Sequence, residues 1–242
     1  MDPRIKIWLH SIIKRIGRPL VQPHFDELRR LQLETLYRYN LTVLLTSHGV
    51  QDTFNSTPRS GSANASLLWL IAKIFLEFNI SRVCELGAGS STRLFDLINT
   101  NRQSQIFSLE SDEWWAESHR VCKNVQVLST SLRPVSVLGQ SVTAYDIGVL
   151  PDQWIPEFFV VDAPLGTARF SRLGAWLLIE KMIQGDFIIL FDDVDRAGEA
   201  ESIRMVKAEL ERSGTKYHSR QWSALKSQHV FFSDKFLPVK YW

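Results

Sequence analysis

The period of the hydrophobic positions changes along the chain, and each change marks an expected element. Residues 3–17 carry Ile5, Trp8, Leu9, Ile12, Ile13 and Ile16 on one helical stripe behind Asp2-Pro3, which predicts a capped amphipathic helix. Gly17 to Pro23 predicts a break, and residues 24–46 predict a second helix with Phe25, Leu28, Leu36 and Leu45 as candidates for burial. The polar stretch from Ser47 to Ser62, with Pro58-Arg59-Ser60-Gly61, predicts a loop. The expected organisation is a helical extension over residues 1–62 and a main domain over 63–242.

From Ala63 to Phe78 a broad apolar face of Leu67, Leu70, Ile71, Ile74 and Phe78 predicts a helix buried against a sheet. Apolar strand-like runs follow at 82–86, 105–109, 125–128, 157–161 and 186–191, separated by segments of helix length, notably 91–100, 112–122 and 171–184. Such alternation predicts a doubly wound, mostly parallel α/β sheet. Beyond a helix-like segment at 196–213, the runs Lys216–Trp222 and His229–Phe232 predict a closing antiparallel strand pair.

Composition narrows the function classes. With 28 basic and 26 acidic residues the net charge is +2, so no global field points to a nucleic-acid partner. Cys84 and Cys122 are too few and too poorly spaced for a zinc site or a disulfide framework, and both are expected to be reduced. No stretch reaches the roughly 20 apolar residues a membrane helix needs, and no cleavable leader is legible, so the cytoplasm is the expected compartment. Arg4, Lys6, Lys14 and Arg15 on the polar face of the first helix suit peripheral contact with an anionic membrane; packing on the parent domain or a partner subunit explains the same stripe. The six histidines show no metal-ligand spacing, and none is expected to be catalytic. Oligomeric state has no signature.

The chemistry begins at Glu85-Leu86-Gly87-Ala88-Gly89-Ser90-Ser91-Thr92, which follows a strand and opens a helix. Its glycines permit a tight turn and a close backbone approach to an adenosine-bearing ligand. Thr92 stands where a dinucleotide fingerprint has its third glycine, which disfavours NAD and an oxidoreductase reading. Glu110 ends the next strand, where a carboxylate can accept hydrogen bonds from both ribose hydroxyls. The plainer alternative is that Glu85 and Glu110 are solvated strand-end acids.

The pattern Glu85-x-Gly87-x-Gly89 resembles the first motif of class I S-adenosylmethionine-dependent methyltransferases. The resemblance implies a seven-stranded Rossmann-like methyltransferase sheet. It also implies S-adenosyl-L-methionine held by Glu85, Gly87, Ala88, Gly89, Ser90, Ser91 and Thr92, with Glu110 on the ribose and Asp162 beside the cofactor. Trp114 and Trp115 follow Glu110 closely enough to cover an adenine, but simple packing is the preferred expectation. Ser129-Thr130-Ser131 departs from the acid that many relatives carry near the adenine amino group.

Phe159-Val160-Val161-Asp162-Ala163-Pro164-Leu165-Gly166 is a buried strand that delivers one carboxylate to the crevice where doubly wound folds bind ligands. Ile188–Arg196 repeats this design, and neighbouring strands lie about 4.8 Å apart, so Asp162, Asp192 and Asp193 are expected to converge. A hard divalent ion, magnesium or manganese, would relieve their repulsion and activate an acceptor oxygen. The alternative is that Asp192 or Asp193 caps the following helix and Asp195 is solvated.

Val161-Asp162-Ala163-Pro164 and Asp193-Val194-Asp195-Arg196 resemble segments of plant glucuronoxylan 4-O-methyltransferases. The paired acids also resemble the metal site of catechol O-methyltransferases, with Leu165 where that family has a lysine. These resemblances imply a hydroxyl acceptor on a sugar, a glycan or another small molecule. Since methyl transfer needs alignment and removal of the acceptor proton, Asp162 is the expected catalytic acid, with Asp192 as metal partner or base. Arg169 and Arg172 suit an acidic group on the substrate, although solvation at a helix start is preferred. A non-enzymatic alternative is a membrane-associated or scaffolding protein that keeps a vestigial nucleoside-binding fold.

Overall fold

The computed structural model of the protein describes residues 3–50 and 63–242, with side chains from residue 23 onward. In chain order the helices are α1 (Pro3–Ser47), α2 (Ala65–Glu77), α3 (Ser90–Ile98), α4 (Glu113–His119), α5 (Trp176–Met182) and α6 (Ala197–Arg212). The strands are β1 (Arg82–Leu86), β2 (Gln105–Glu110), β3 (Gln126–Ser129), β4 (Leu132–Val137), β5 (Gln140–Tyr145), β6 (Phe158–Val161), β7 (Ile188–Phe191), β8 (His218–Ser223) and β9 (Ser227–Phe232).

One seven-stranded sheet runs in the order β3-β2-β1-β6-β7-β9-β8. The strands from β3 to β7 are parallel, and β9 pairs antiparallel with both β7 and β8. The doubly wound sheet with a closing antiparallel pair is therefore as the sequence predicts. The chain winds outward from β1 through β2 and β3, then returns to β6 on the other side of β1, so the winding reverses between β1 and β6. A reversal of this kind opens a crevice at the carboxyl ends of the strands.

Both faces of the sheet are covered, which is why its central strands read as continuous apolar runs. Val83, Ile106, Phe158, Val160, Ile188 and Leu190 pack on one side with residues of α1, α2 and α3. Cys84, Leu86, Phe107, Leu109, Phe159, Val161, Ile189 and Phe191 pack on the other side with α5 and α6. Both cysteines are free, buried thiols.

Strands β4 and β5 form a separate hairpin that the hydrophobic pattern does not announce. Its strands are half exposed, and its turn is Leu138-Gly139, both with positive φ, in place of the Asn-Gly that usually signals such a turn.

Helix α1 corrects two expectations. Its backbone stays helical through Gly17, Pro19 and Pro23, where a break was expected. Proline's fixed φ suits a helix, so each proline costs a hydrogen bond and not the element. Phe25, Leu28 and Leu36 are exposed, whereas Leu41 and Leu45 are buried. Among the described side chains of α1, those that pack against α2 and the core beneath it are Glu34, Tyr37, Leu41, Leu44 and Leu45. Asp2, the side-chain stripe of residues 3–17 and the loop from 51 to 62 lie outside the described residues. No described helix is long and apolar enough to cross a membrane.

Helix α2 is held at both ends by charges from elsewhere in the chain. At its start Asn64 accepts from Leu67 N, and the buried Glu34 carboxylate accepts from Ala65 N and, at 3.1 Å, from Asn64 Nδ2. At its end Arg102 Nη1 donates to Phe75 O at 2.7 Å and Phe78 O at 3.1 Å, and Nη2 donates to Leu76 O. An acid at the N-terminus and a base at the C-terminus match the helix dipole and satisfy groups that helix ends leave free.

Replacing Glu34 with alanine leaves the Ala65 amide and the Asn64 side chain without their buried acceptor. A loss of about 1–3 kcal/mol is expected in urea unfolding monitored by circular dichroism. An unchanged midpoint would show that Glu34 contributes nothing to the seam.

Candidate functional site

The shared register of the parallel strands assembles the site. Leu86 pairs with Leu109 on one side and Val161 on the other, and Val161 pairs with Phe191. Four strands thus finish side by side, and the next residues along them, Gly87, Glu110, Asp162 and Asp192, stand in one row at the crevice. The row is stitched by backbone bonds from Gly87 N to Leu109 O (2.8 Å), Asp162 N to Leu86 O (3.3 Å) and Asp192 N to Val161 O (3.1 Å).

Glu85 lies two residues before Gly87 on β1 and is fully buried. Its Oε2 accepts from Thr92 Oγ1 at 2.6 Å and from Ser108 Oγ at 2.8 Å, while its Oε1 is buried without a partner among the described residues. Burial pushes this carboxyl above the ordinary range, and the hydroxyls of Ser91, Thr92 and Ser108 pull it back. Thr92 Oγ1 also accepts from Gly89 N at 2.8 Å, so it closes the first turn of α3.

The two glycines of the loop serve different needs. Gly87 has φ +93°, and a Cβ there would lie 2.7 Å from Ala163 Cβ, so both backbone and space exclude a side chain. Gly89 has nothing within 4 Å of where a Cβ would stand, which leaves the outer side of the turn open. Ala88 and Ser91 are buried and Ser90 is half-buried beside it.

Glu110 is a buried acid that organises its surroundings, not a solvated strand end. Its Oε2 accepts from Ala88 N at 3.0 Å, and its Oε1 accepts from Ser111 N at 2.6 Å and Asp112 N at 2.8 Å. This carboxylate ties the glycine turn to the end of β2, and Oε2 keeps a lone pair for a further donor. The expectation that Trp114 and Trp115 are packing residues is not met, since they are 74% and 41% exposed. They start a short helix at the crevice rim, and Trp115 Nε1 donates to Ala88 O. Thr130, after β3, donates its hydroxyl to Asp146 O at 2.9 Å.

Asp162, Asp192 and Asp193 converge as expected, each offering an oxygen within 4.8 Å of the others. They do not converge alone. Arg172 Nη1 lies 3.4 Å from Asp162 Oδ1, and Nη2 lies 3.1 Å from Asp193 Oδ2. Lys226 Nζ lies 3.4 Å from Asp192 Oδ2 and 3.2 Å from Asp193 Oδ1, and Arg196 Nη1 lies 2.9 Å from Asp193 Oδ2.

The helix-cap alternative for Asp192 and Asp193 is set aside, because Arg196 occupies the N-cap of α6 with no side-chain cap. Asp195 accepts from Ser227 N at 3.1 Å. Arg172 is a further correction: its side chain is only 4% exposed, whereas Arg169 is the solvated one, paired with Glu201.

Arg172 and Asp193 both have left-handed backbones, with φ +61° and +60°. Such a conformation costs about 1 kcal/mol or more for a residue with a Cβ, and here it is held by the ion pair between the two side chains. Burial and the neighbouring Asp192 push the Asp162 carboxyl well above the ordinary range, with Arg172 and Lys226 pulling back. Burial works against the charge of Lys226, but Asp192, Asp162 and Asp193 overcome it and hold the ammonium above its ordinary value.

A hydrogen-bonded chain links this cluster to α1. Gln228 Nε2 donates to Asp192 Oδ1 at 2.8 Å, and Gln228 Oε1 accepts from Ser66 Oγ at 2.8 Å. Ser66 accepts in turn from Asn64 Nδ2 at 2.8 Å, and Asn64 donates also to Glu34. Sequence reasoning missed Lys226 and Gln228. The available signal was Gln228 itself, an uncharged polar residue set before the apolar run Val230–Phe232.

No family model matches the chain, and no curated protein does. Among solved structures it is similar to an SAH-bound methyltransferase of Podospora anserina at 11% identity, covering 81% of this chain and 88% of that one with a TM-score of 0.50. A methyltransferase of Pyrococcus furiosus aligns at 13% identity over 83% of this chain and 96% of its own, with a TM-score of 0.47. A precorrin-6y C5,15-methyltransferase of Geobacter metallireducens aligns at 14% identity over 74% and 92%, with a TM-score of 0.44. The chain thus has the Rossmann-like fold seen in the Podospora anserina methyltransferase.

Proposed function

We propose that the protein is an S-adenosylmethionine-dependent O-methyltransferase whose acceptor is a hydroxyl of a sugar, a glycan or another small molecule. The observation that carries this reading is the row of Gly87, Glu110 and Asp162 at the winding reversal: an open glycine turn, a buried carboxylate beside it and a third acid across the crevice. Three features suit the cofactor: the unpartnered Oε1 of Glu85, the open side of Gly89 and the spare lone pair on Glu110. A dinucleotide suits the loop less, because the Gly89 amide at the start of α3 is already bonded to Thr92.

When bound, the cofactor supplies an electrophilic methyl group on a sulfonium. The chain's own tasks are alignment and proton removal. The turn from Gly87 to Ser91 and the Glu110 carboxylate hold the donor side. Asp162, 21% exposed and facing the same crevice, takes the proton of the acceptor hydroxyl. Its raised pKa makes it a better base than an ordinary aspartate, and Asp192, fixed by Gln228 and Lys226, sustains that shift.

The three carboxylates alone are a hard-oxygen donor set of the kind magnesium or manganese takes. With Lys226 bridging Asp192 and Asp193, and Arg172 on Asp162 and Asp193, the residues do not fit a divalent ion, and no step here uses one.

Glu110→Gln is expected to weaken S-adenosylhomocysteine binding by about tenfold or more in calorimetry, the scale of a lost charged hydrogen bond. Undiminished affinity in a folded variant would remove Glu110 from the cofactor site. Asp162→Asn is expected to lower methyl transfer by about 10²–10⁴-fold while leaving S-adenosylhomocysteine affinity within about threefold. In the parent, activity should fall as pH drops through the raised Asp162 pKa, well above the ordinary value of about 3.9. The asparagine variant should lack that acid limb; an identical profile contradicts the assignment.

A further inference from the structure

The acid cluster at the ends of β6 and β7 carries its own counter-ions, and their placement is specific. Lys226 comes from the link between β8 and β9, elements that follow the cluster in sequence, and its ammonium bridges Asp193 Oδ1 at 3.2 Å and Asp192 Oδ2 at 3.4 Å. Gln228, two residues on, donates to the other oxygen of Asp192 at 2.8 Å. Arg172 and Arg196 share Asp193 Oδ2 at 3.1 and 2.9 Å, and Arg172 also reaches Asp162 Oδ1 at 3.4 Å. Five of the six carboxylate oxygens therefore already face a donor.

A divalent ion needs several of those oxygens at about 2.0–2.6 Å, and it would have to sit against an ammonium that already bridges two of the three acids. Two like charges competing for the same oxygens repel, and the ammonium has the advantage of being tethered. The side chain of Lys226 is 23% exposed, so it stands at the edge of the cluster and is not part of the packed core.

We propose that Lys226 is the resident cation of this cluster, its ammonium taking the place a divalent ion would occupy, so that the protein binds no such ion there. The corollary, that the hydroxyl acceptor is methylated without a metal, rests on the proposed function; the binding claim does not.

The test uses the full chain after chelator treatment, titrated with Mn²⁺ and followed by electron paramagnetic resonance. The parent and Lys226→Arg are expected to show no saturable site. Lys226→Ala is expected to gain one, binding at least about tenfold tighter than anything seen in the parent, because the uncovered carboxylates are hard ligands. Adding Asp192→Asn should abolish the gained site, which locates it. Lys226→Met, which keeps the apolar stem, serves should the alanine variant fail to fold by circular dichroism.

One saturable Mn²⁺ site in the parent that Asp192→Asn removes would overturn the proposal, as would folded Lys226→Ala and Lys226→Met variants that gain none. S-adenosylhomocysteine titration of the same parent preparation separates the two readings: no binding there would defeat the methyltransferase assignment and leave the cation result intact.

Discussion

The structure depends on four parallel strands ending in register. Leu109, Leu86, Val161 and Phe191 pair across β2, β1, β6 and β7, and all four are buried. Because side chains alternate between faces, a slip of one residue in any strand would exchange the sets packed on its two faces and displace the residue at its end. Packed layers on both faces forbid that slip, so the apolar interior also determines where Gly87, Glu110, Asp162 and Asp192 stand. Core and site are two consequences of one register.

That arrangement gathers acids in a desolvated place, and the chain answers in two ways. On the β1–β2 side the answer is hydrogen bonding: Thr92 and Ser108 donate to Glu85, and backbone amides of Ala88, Ser111 and Asp112 donate to Glu110. On the β6–β7 side the answer is charge, from Arg172, Arg196 and Lys226. The left-handed backbones of Arg172 and Asp193 show that this pairing is held against local conformational cost. The chain from Asp192 through Gln228, Ser66 and Asn64 to Glu34 extends the ordering to α1, which is thereby connected to the crevice by polar contacts as well as by Leu41 and Leu45.

Much of this was legible in the sequence where one segment supplies both the element and the chemistry. The buried parallel strands announce themselves as apolar runs, and the residues that end them, Glu110, Asp162 and Asp192, are charged, so strand end and site coincide. The glycine turn is legible for the same reason. What the sequence hides is pairing at a distance. Lys226 and Arg172 look like surface cations until β9 and the segment before α5 bring them onto the aspartates. Gln228 acquires meaning only opposite Asp192, and the β4–β5 hairpin is masked by an atypical turn and half-exposed strands. For α1, helical periodicity shows an apolar stripe but not which part of it has a neighbour: among the described residues Phe25, Leu28 and Leu36 are exposed while Leu41 and Leu45 are buried.

The central claim is that the crevice at residues 85–92 and Glu110 receives a nucleoside sulfonium. Calorimetric titration of the unmodified protein with S-adenosylhomocysteine and, separately, with NAD tests it most directly. One saturable site for the thioether nucleoside and no heat from the dinucleotide is the result this structure predicts. Binding of NAD at that crevice, or no binding of S-adenosylhomocysteine at all, would contradict it.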